Sequence, residues 1–133
     1  MIKNIVMMLA MFGMTLGVFS VYKIRKLDFY KEMLKELLVF IKENPRGSYI
    51  TAFMVVLYNF ILTYVAVIYL GGNIVKCLSV AVIITNFIDI LKIKMMESEK
   101  YNINRMYIYN YLSDIVEAGI YITYCAYIIY LVI

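Results

Sequence analysis

The chain contains no histidine and no tryptophan, and it has only one proline and two cysteines. Histidine is the usual pH-active general base and a leading metal ligand, so its absence argues against much catalytic and metal chemistry. Cys77 and Cys125 form no CxxC pair, and neither a zinc site nor a dithiol redox motif is therefore supported. Both cysteines lie in apolar runs and are predicted to be small buried side chains.

Charge is also scarce, since only 17% of the residues are charged whereas 65% are hydrophobic. Soluble proteins are about 45–50% apolar. Four apolar segments, at about 4–22, 48–70, 73–93 and 107–133, approach or exceed the ~20 residues that a helix needs to cross ~30 Å of hydrocarbon. They predict an all-α integral membrane protein with four transmembrane helices in a single domain, 1–133.

The basic residues are concentrated, because eleven of the thirteen lysines and arginines lie in 23–46 and 92–105. Short loops rich in Lys and Arg stay on the cytoplasmic side of a membrane. The pattern predicts a multi-pass protein of the cell membrane with cytoplasmic basic loops and both termini outside. We attribute the net charge of +4 to contact with the lipid bilayer and expect no nucleic-acid partner.

Residues 27–44 carry too many charges to cross a membrane. Asp28 is expected to cap a helix here, and Pro45 with Gly47 is expected to end it. The segment predicts one cytoplasmic amphipathic helix at the inner surface of the bilayer. Its apolar stripe is expected to contact lipid or, alternatively, a protein partner. The stripe follows steps of three and four residues: Leu27, Tyr30, Leu34, Leu37 and Ile41.

Small residues recur on one face of the first apolar segment, at Ala10, Gly13, Gly17 and Ser20. Gly13 and Gly17 form a GxxxG pair, which allows another helix backbone to approach closely. This face predicts either self-association of the protein or packing against another helix of the same chain.

Carboxylates near the third and fourth apolar segments are the main candidates for a functional site. An ionisable residue within a span costs about 2.5–3.5 kcal/mol on insertion scales, so it normally faces a bundle interior or water. Polar residues on two helices are therefore predicted to line a hydrated path that attracts cations. These pathway-lining candidates are Asn86, Asp89, Asp114, Glu117 and Tyr121.

The position of these carboxylates favours an alternative. Counting back from Ile133, ~20 residues of membrane crossing begin close to Ser113, which places the acids near the inner interface. They are then anchors of the inner helix ends, paired with Lys92, Lys94 or Arg105.

The sequence predicts a protein that is not an enzyme and requires no cofactor or metal, because no nucleophile–base pair or phosphate-binding loop is present. The preferred function is a self-assembling pore or ion-conducting channel. The alternative is an accessory, immunity or regulatory subunit that binds a membrane or cytoplasmic protein through 27–44. Small four-span holins and bacteriocin-immunity proteins share this size and layout, but no motif matches either.

Overall fold

The computed structural model describes the backbone of residues 1–97 and 103–133, and the side chains of 1–97 and 107–133. These residues form five helices, which confirms the all-α prediction. The helices are α1 (Ile2–Lys23), α2 (Leu27–Glu43), α3 (Pro45–Leu70), α4 (Asn73–Glu97) and α5 (Ile103–Val132). Four of them, all except α2, are long and apolar enough to cross a membrane.

The four long helices pack side by side around an apolar core. The most extensive contact joins α1 to α5, and α3 packs along α4. The core is made of fully or almost fully buried side chains from all four: Val6, Ala10, Leu62, Ala66, Val75, Val82, Tyr124, Cys125, Ile128 and Val132. Large apolar side chains elsewhere on the same helices are exposed, for example Phe53 at 63% and Phe87 at 55%.

Two helix boundaries differ from the sequence-based prediction, one at the junction of α2 and α3 and one at the start of α2. Asn44 ends α2 and also caps α3, because its Oδ1 accepts a hydrogen bond from the Gly47 backbone N–H at 3.1 Å. Pro45 then begins α3, since a first-turn position needs no backbone donor. The prediction that Asp28 caps α2 is wrong: Lys26 is the N-cap residue, and Asp28 lies in the first turn.

Gly71 and Gly72 make the turn between α3 and α4, with φ angles of 61° and 88°. Glycine reaches these positive values without the steric cost that a Cβ imposes. The tight turn makes α3 and α4 antiparallel neighbours. Cys77, which follows this turn, is exposed, so the prediction that both cysteines are buried holds only for Cys125.

Helix α2 packs across the opposite end of the bundle, where it contacts α3, α4 and α5. Tyr30, Leu34 and Ile41 are buried there against a cluster that includes Met96. Leu27 and Leu37 are 41% and 46% exposed. The predicted lipid- or partner-binding stripe is therefore divided, because three of its five residues are covered by the protein itself.

Hydrogen bonds also join the chain segments at this end. Tyr49 at the start of α3 donates to Glu97 Oε2 at the end of α4, at 2.7 Å. Tyr111 donates to the backbone oxygen of Ile24, just after α1, at 3.0 Å. The end of the bundle beside α2, called the α2 end from here on, thus brings together the end of α1, the start of α3, the end of α4 and the first part of α5.

Candidate functional site

Lys92 lies at the centre of a cluster of three carboxylates near the α2 end. Its Nζ is 2.7 Å from Asp114 Oδ1, 3.0 Å from Glu117 Oε1 and 3.7 Å from Asp89 Oδ1. The side chains of Lys92 and Glu117 are 16% and 15% exposed, so water reaches both only in part. Pairing between Lys92 and these acids agrees with the alternative in which the acids anchor the inner helix ends. The side chain of Arg105, another expected partner, lies outside the described residues.

Two hydroxyl groups also contact the carboxylate cluster. Tyr30 on α2 donates to Asp114 Oδ2 at 2.5 Å, and Ser113 donates to Glu117 Oε1 at 3.1 Å. Tyr30 was assigned by the sequence to a lipid or partner surface, and the structure places it instead in the candidate site. No local signal reveals this contact, because 84 residues separate Tyr30 from Asp114.

The three carboxylates lie close enough to hold a positively charged group. One oxygen each from Asp89, Asp114 and Glu117 lies within 4.8 Å of the others. Carboxylate oxygens are ligands for hard cations, and like charges at this spacing require neutralisation. Lys92 supplies one positive charge, which leaves the cluster with more carboxylates than ammonium groups.

Asn86, one turn before Asp89 on α4, belongs to a buried pair of amides. Asn59 on α3 donates through Nδ2 to Asn86 Oδ1 at 2.9 Å. Both residues are 4% exposed. Asn59 Oδ1 and Asn86 Nδ2 are left without a hydrogen-bond partner among the described residues. Asn86 is therefore buried in the bundle interior, and its hydrogen bond with Asn59 links α4 to α3.

A cavity of about 710 Å³ lies between the five helices, beside the carboxylate cluster and the amide pair. A smaller cavity of about 300 Å³ adjoins it and shares Asn86, Asp89 and Asp114 as lining residues. The larger cavity is lined by all five pathway candidates predicted from the sequence: Asn86, Asp89, Asp114, Glu117 and Tyr121. Their location around one cavity is a structural result, whereas the passage of ions through it stays a prediction.

The small-residue face of α1 packs against α5 of the same chain. A Cβ placed on Gly13 would lie 2.9 Å from the Tyr121 hydroxyl and 2.9 Å from Cys125 Sγ. A Cβ on Gly17 would lie 2.7 Å from Ile122 Cγ1. Ala10, the third member, is completely buried. This geometry matches the intramolecular alternative for the GxxxG pair and leaves these glycines covered.

Ser20, the fourth member of this face, is exposed and donates to the Leu16 backbone oxygen at 3.0 Å. It lines the larger cavity together with Lys23, the last residue of α1. Sequence reasoning did not include Lys23 in the site. The end of α1 therefore contributes to the cavity wall as well as to helix packing.

Comparison of the chain with protein-family models, curated proteins and solved structures finds no match. The function of the chain is therefore inferred from its residues and their geometry.

Proposed function

We propose that the chain is a non-enzymatic integral membrane protein that takes cations into the cavity at the α2 end and conducts them across the bilayer. Four helices have the length and apolar surface that a membrane-spanning bundle requires. The basic stretches next to Lys23 and Arg46 favour a cytoplasmic position for the α2 end. Both termini then lie outside.

The observation that supports cation conduction most strongly is the shared location of the carboxylates and the cavity. Asp89, Asp114 and Glu117 come from two helices and line one space. Ionisable residues kept at the inner part of a membrane bundle commonly mark an ion or proton pathway. Lys92 is held within the cluster by its contacts of 2.7 Å to Asp114 and 3.0 Å to Glu117, and it neutralises part of the negative charge.

The other half of the bundle limits how such a path can open. Leu62, Val82, Tyr124 and Ile128 are fully buried there in the apolar core. A continuous path needs these helices to separate, or needs a second copy of the chain to form a path at their outer surface. Self-assembly is therefore part of the proposal, although the Gly13–Gly17 face is occupied by α5.

A flux assay in liposomes tests the proposal. Protein reconstituted in liposomes is expected to release trapped K⁺, and the variant Asp114→Asn with Glu117→Gln is expected to slow this release. Asp28→Asn with Glu43→Gln is the matched control, because both acids are exposed on α2. Absence of K⁺ release, or equal release by the two double variants, would contradict cation conduction through this cavity.

Orientation is tested separately by labelling with a membrane-impermeant maleimide in whole cells. In a background with Cys77→Ala and Cys125→Ala, Asn73→Cys is expected to be labelled and Arg46→Cys to be protected. Both positions are exposed in the fold, so a difference in labelling reports the side of the membrane and not burial within the protein. Labelling of the Arg46 variant alone would reverse the proposed topology.

A second candidate function is a subunit that binds another protein through α2. The observation that favours it is a line of incompletely covered apolar residues beside the buried stripe, at Phe29, Met33, Leu37 and Phe40. Phe29 and Phe40 are each 47% exposed. The same residues can instead enter the lipid headgroup region next to the bundle.

Co-purification at fixed stoichiometry distinguishes these uses of α2. The subunit hypothesis predicts that Phe29→Glu with Phe40→Glu abolishes capture of one defined partner. Val39→Glu is the control, because Val39 is 53% exposed but lies among the charged residues on the other side of α2. Purification of the protein without any partner from its native membrane contradicts the subunit hypothesis.

A further inference from the structure

The wall of the larger cavity is mainly apolar and aromatic, although its carboxylates attract positive charge. Tyr30, Tyr58 and Tyr121 line it together with Met33 and Met54. Aromatic rings attract organic cations, and methionine side chains adapt to irregular apolar shapes. The volume of about 710 Å³ lies within the range of small-molecule sites, about 300–1,000 Å³. Such a wall suits a cation that carries an apolar organic body.

The charges around the cavity match a ligand with one positive charge. Among the described residues, three carboxylates line the larger cavity, and the basic residues lining it or the adjoining cavity are Lys23 and Lys92. With all groups ionised, one negative charge is in excess. An excess negative charge beside apolar walls attracts positive charge, so the cavity favours a ligand that supplies a single compensating charge.

Asp89 is the carboxylate with the weakest link to Lys92. Asp114 accepts from both Lys92 and Tyr30, and Glu117 accepts from Lys92 and Ser113. The Asp89–Lys92 distance of 3.7 Å is the longest of the three ion pairs, and the Asp89 side chain is 48% exposed. Its carboxylate is therefore the one most able to receive another cation without loss of the Lys92 contacts.

The buried amide pair provides an independent indication of a ligand. Asn59 Oδ1 and Asn86 Nδ2 lack partners among the described residues, and exchanging O and N in both amides leaves one acceptor and one donor unpaired. Buried polar groups beside a cavity are normally satisfied by water or a ligand. Asn86 and Asp89 are three residues apart on α4, so they share a helix face and both line the cavity.

We infer that the cavity binds a small lipophilic organic cation, whose positive charge pairs with Asp89 and whose apolar body contacts the tyrosine and methionine wall. The inference rests on the proposed cation-conducting function and names the chemical class of the cation. A lipophilic cation also partitions into the bilayer, from which it can reach a cavity between membrane-spanning helices.

Equilibrium dialysis of the full-length protein in mild detergent tests this inference with two probes of nearly the same shape. Tetraphenylphosphonium carries a positive charge and tetraphenylborate a negative one. We expect saturable binding of the cation and only micelle-level uptake of the anion. Asp89→Asn is expected to weaken binding of the cation about tenfold or more, because the loss of one nearby charge changes the attraction by at least that factor. Asp28→Asn on the exposed side of α2 is expected to leave it unchanged.

Equal protein-dependent uptake of the two probes, or unchanged binding in Asp89→Asn, overturns the inference. The probe comparison uses the unaltered protein, so it decides the question even where the variant fails to fold. K⁺ release from liposomes without phosphonium binding overturns the ligand class and leaves cation conduction supported. Asp89-dependent phosphonium binding without K⁺ release supports the ligand class and contradicts K⁺ conduction.

Discussion

Replacement of Lys92 by methionine is expected to destabilise the bundle, because the change leaves neighbouring carboxylates without their ammonium partner. The Lys92 Nζ contacts Asp114 at 2.7 Å and Glu117 at 3.0 Å. Removing one member of a fully buried ion pair costs about 3–5 kcal/mol. The 35% exposure of the Asp114 side chain allows partial hydration, and we therefore expect a loss of about 2 kcal/mol in unfolding free energy.

Unfolding by SDS in mixed micelles, followed by far-ultraviolet circular dichroism, measures this loss. Lys94→Met is the matched control, because Lys94 is exposed on the same helix. Addition of Asp114→Asn and Glu117→Gln to Lys92→Met is expected to restore about 1 kcal/mol or more, since residues in one charge network are not additive. Equal midpoints for Lys92→Met and Lys94→Met, or strictly additive losses, would refute the central role of Lys92.

Three further predictions concern stability and are measured by the same unfolding assay. Tyr30→Phe removes the hydrogen bond to Asp114 and is expected to cost about 1 kcal/mol; an unchanged midpoint would contradict a stabilising role for this contact. Gly17→Ala is expected to lower the free energy of unfolding by about 1 kcal/mol or more, because the added Cβ meets Ile122. Gly119→Ala is the control and should be neutral or stabilising, because its Cβ meets nothing within 4 Å. Equal effects at the two glycines would argue against close α1–α5 packing. Asn44→Ala removes the cap of α3 and is expected to lower the free energy of unfolding by about 1 kcal/mol. If Asn44→Ala loses less stability than Asn73→Ala, the assignment of Asn44 as the cap is contradicted.

The helices themselves are predictable from the sequence because their signals are local. Apolar runs of spanning length define four of them, and the alternation of apolar and charged residues defines α2. The boundary at Pro45 is harder to predict, since proline ends one helix and begins the next equally well. Only the Asn44 side chain, by capping α3, distinguishes the two uses.

The site is only partly predictable, because each polar residue indicates an inward direction but not a partner. The sequence allows Lys92, Lys94 or Arg105 as partners of Asp114 and Glu117. The structure pairs both acids with Lys92 and adds Tyr30, which the sequence assigns to a different surface. Apolar residues are less informative still, since lipid-facing and interior positions in a membrane bundle have similar composition. Cys77 and Cys125 illustrate this, with one exposed and one buried although both lie in apolar segments.

The charge selectivity of current in a planar bilayer tests most directly whether the cavity conducts cations. With a KCl gradient across the bilayer, the reversal potential is expected to lie close to the K⁺ equilibrium potential, because carboxylates outnumber ammonium groups around the cavity among the described residues. Neutralisation by Asp114→Asn with Glu117→Gln should move it towards zero. A reversal potential near the Cl⁻ value, or one that the two substitutions leave unchanged, would contradict cation conduction through this site.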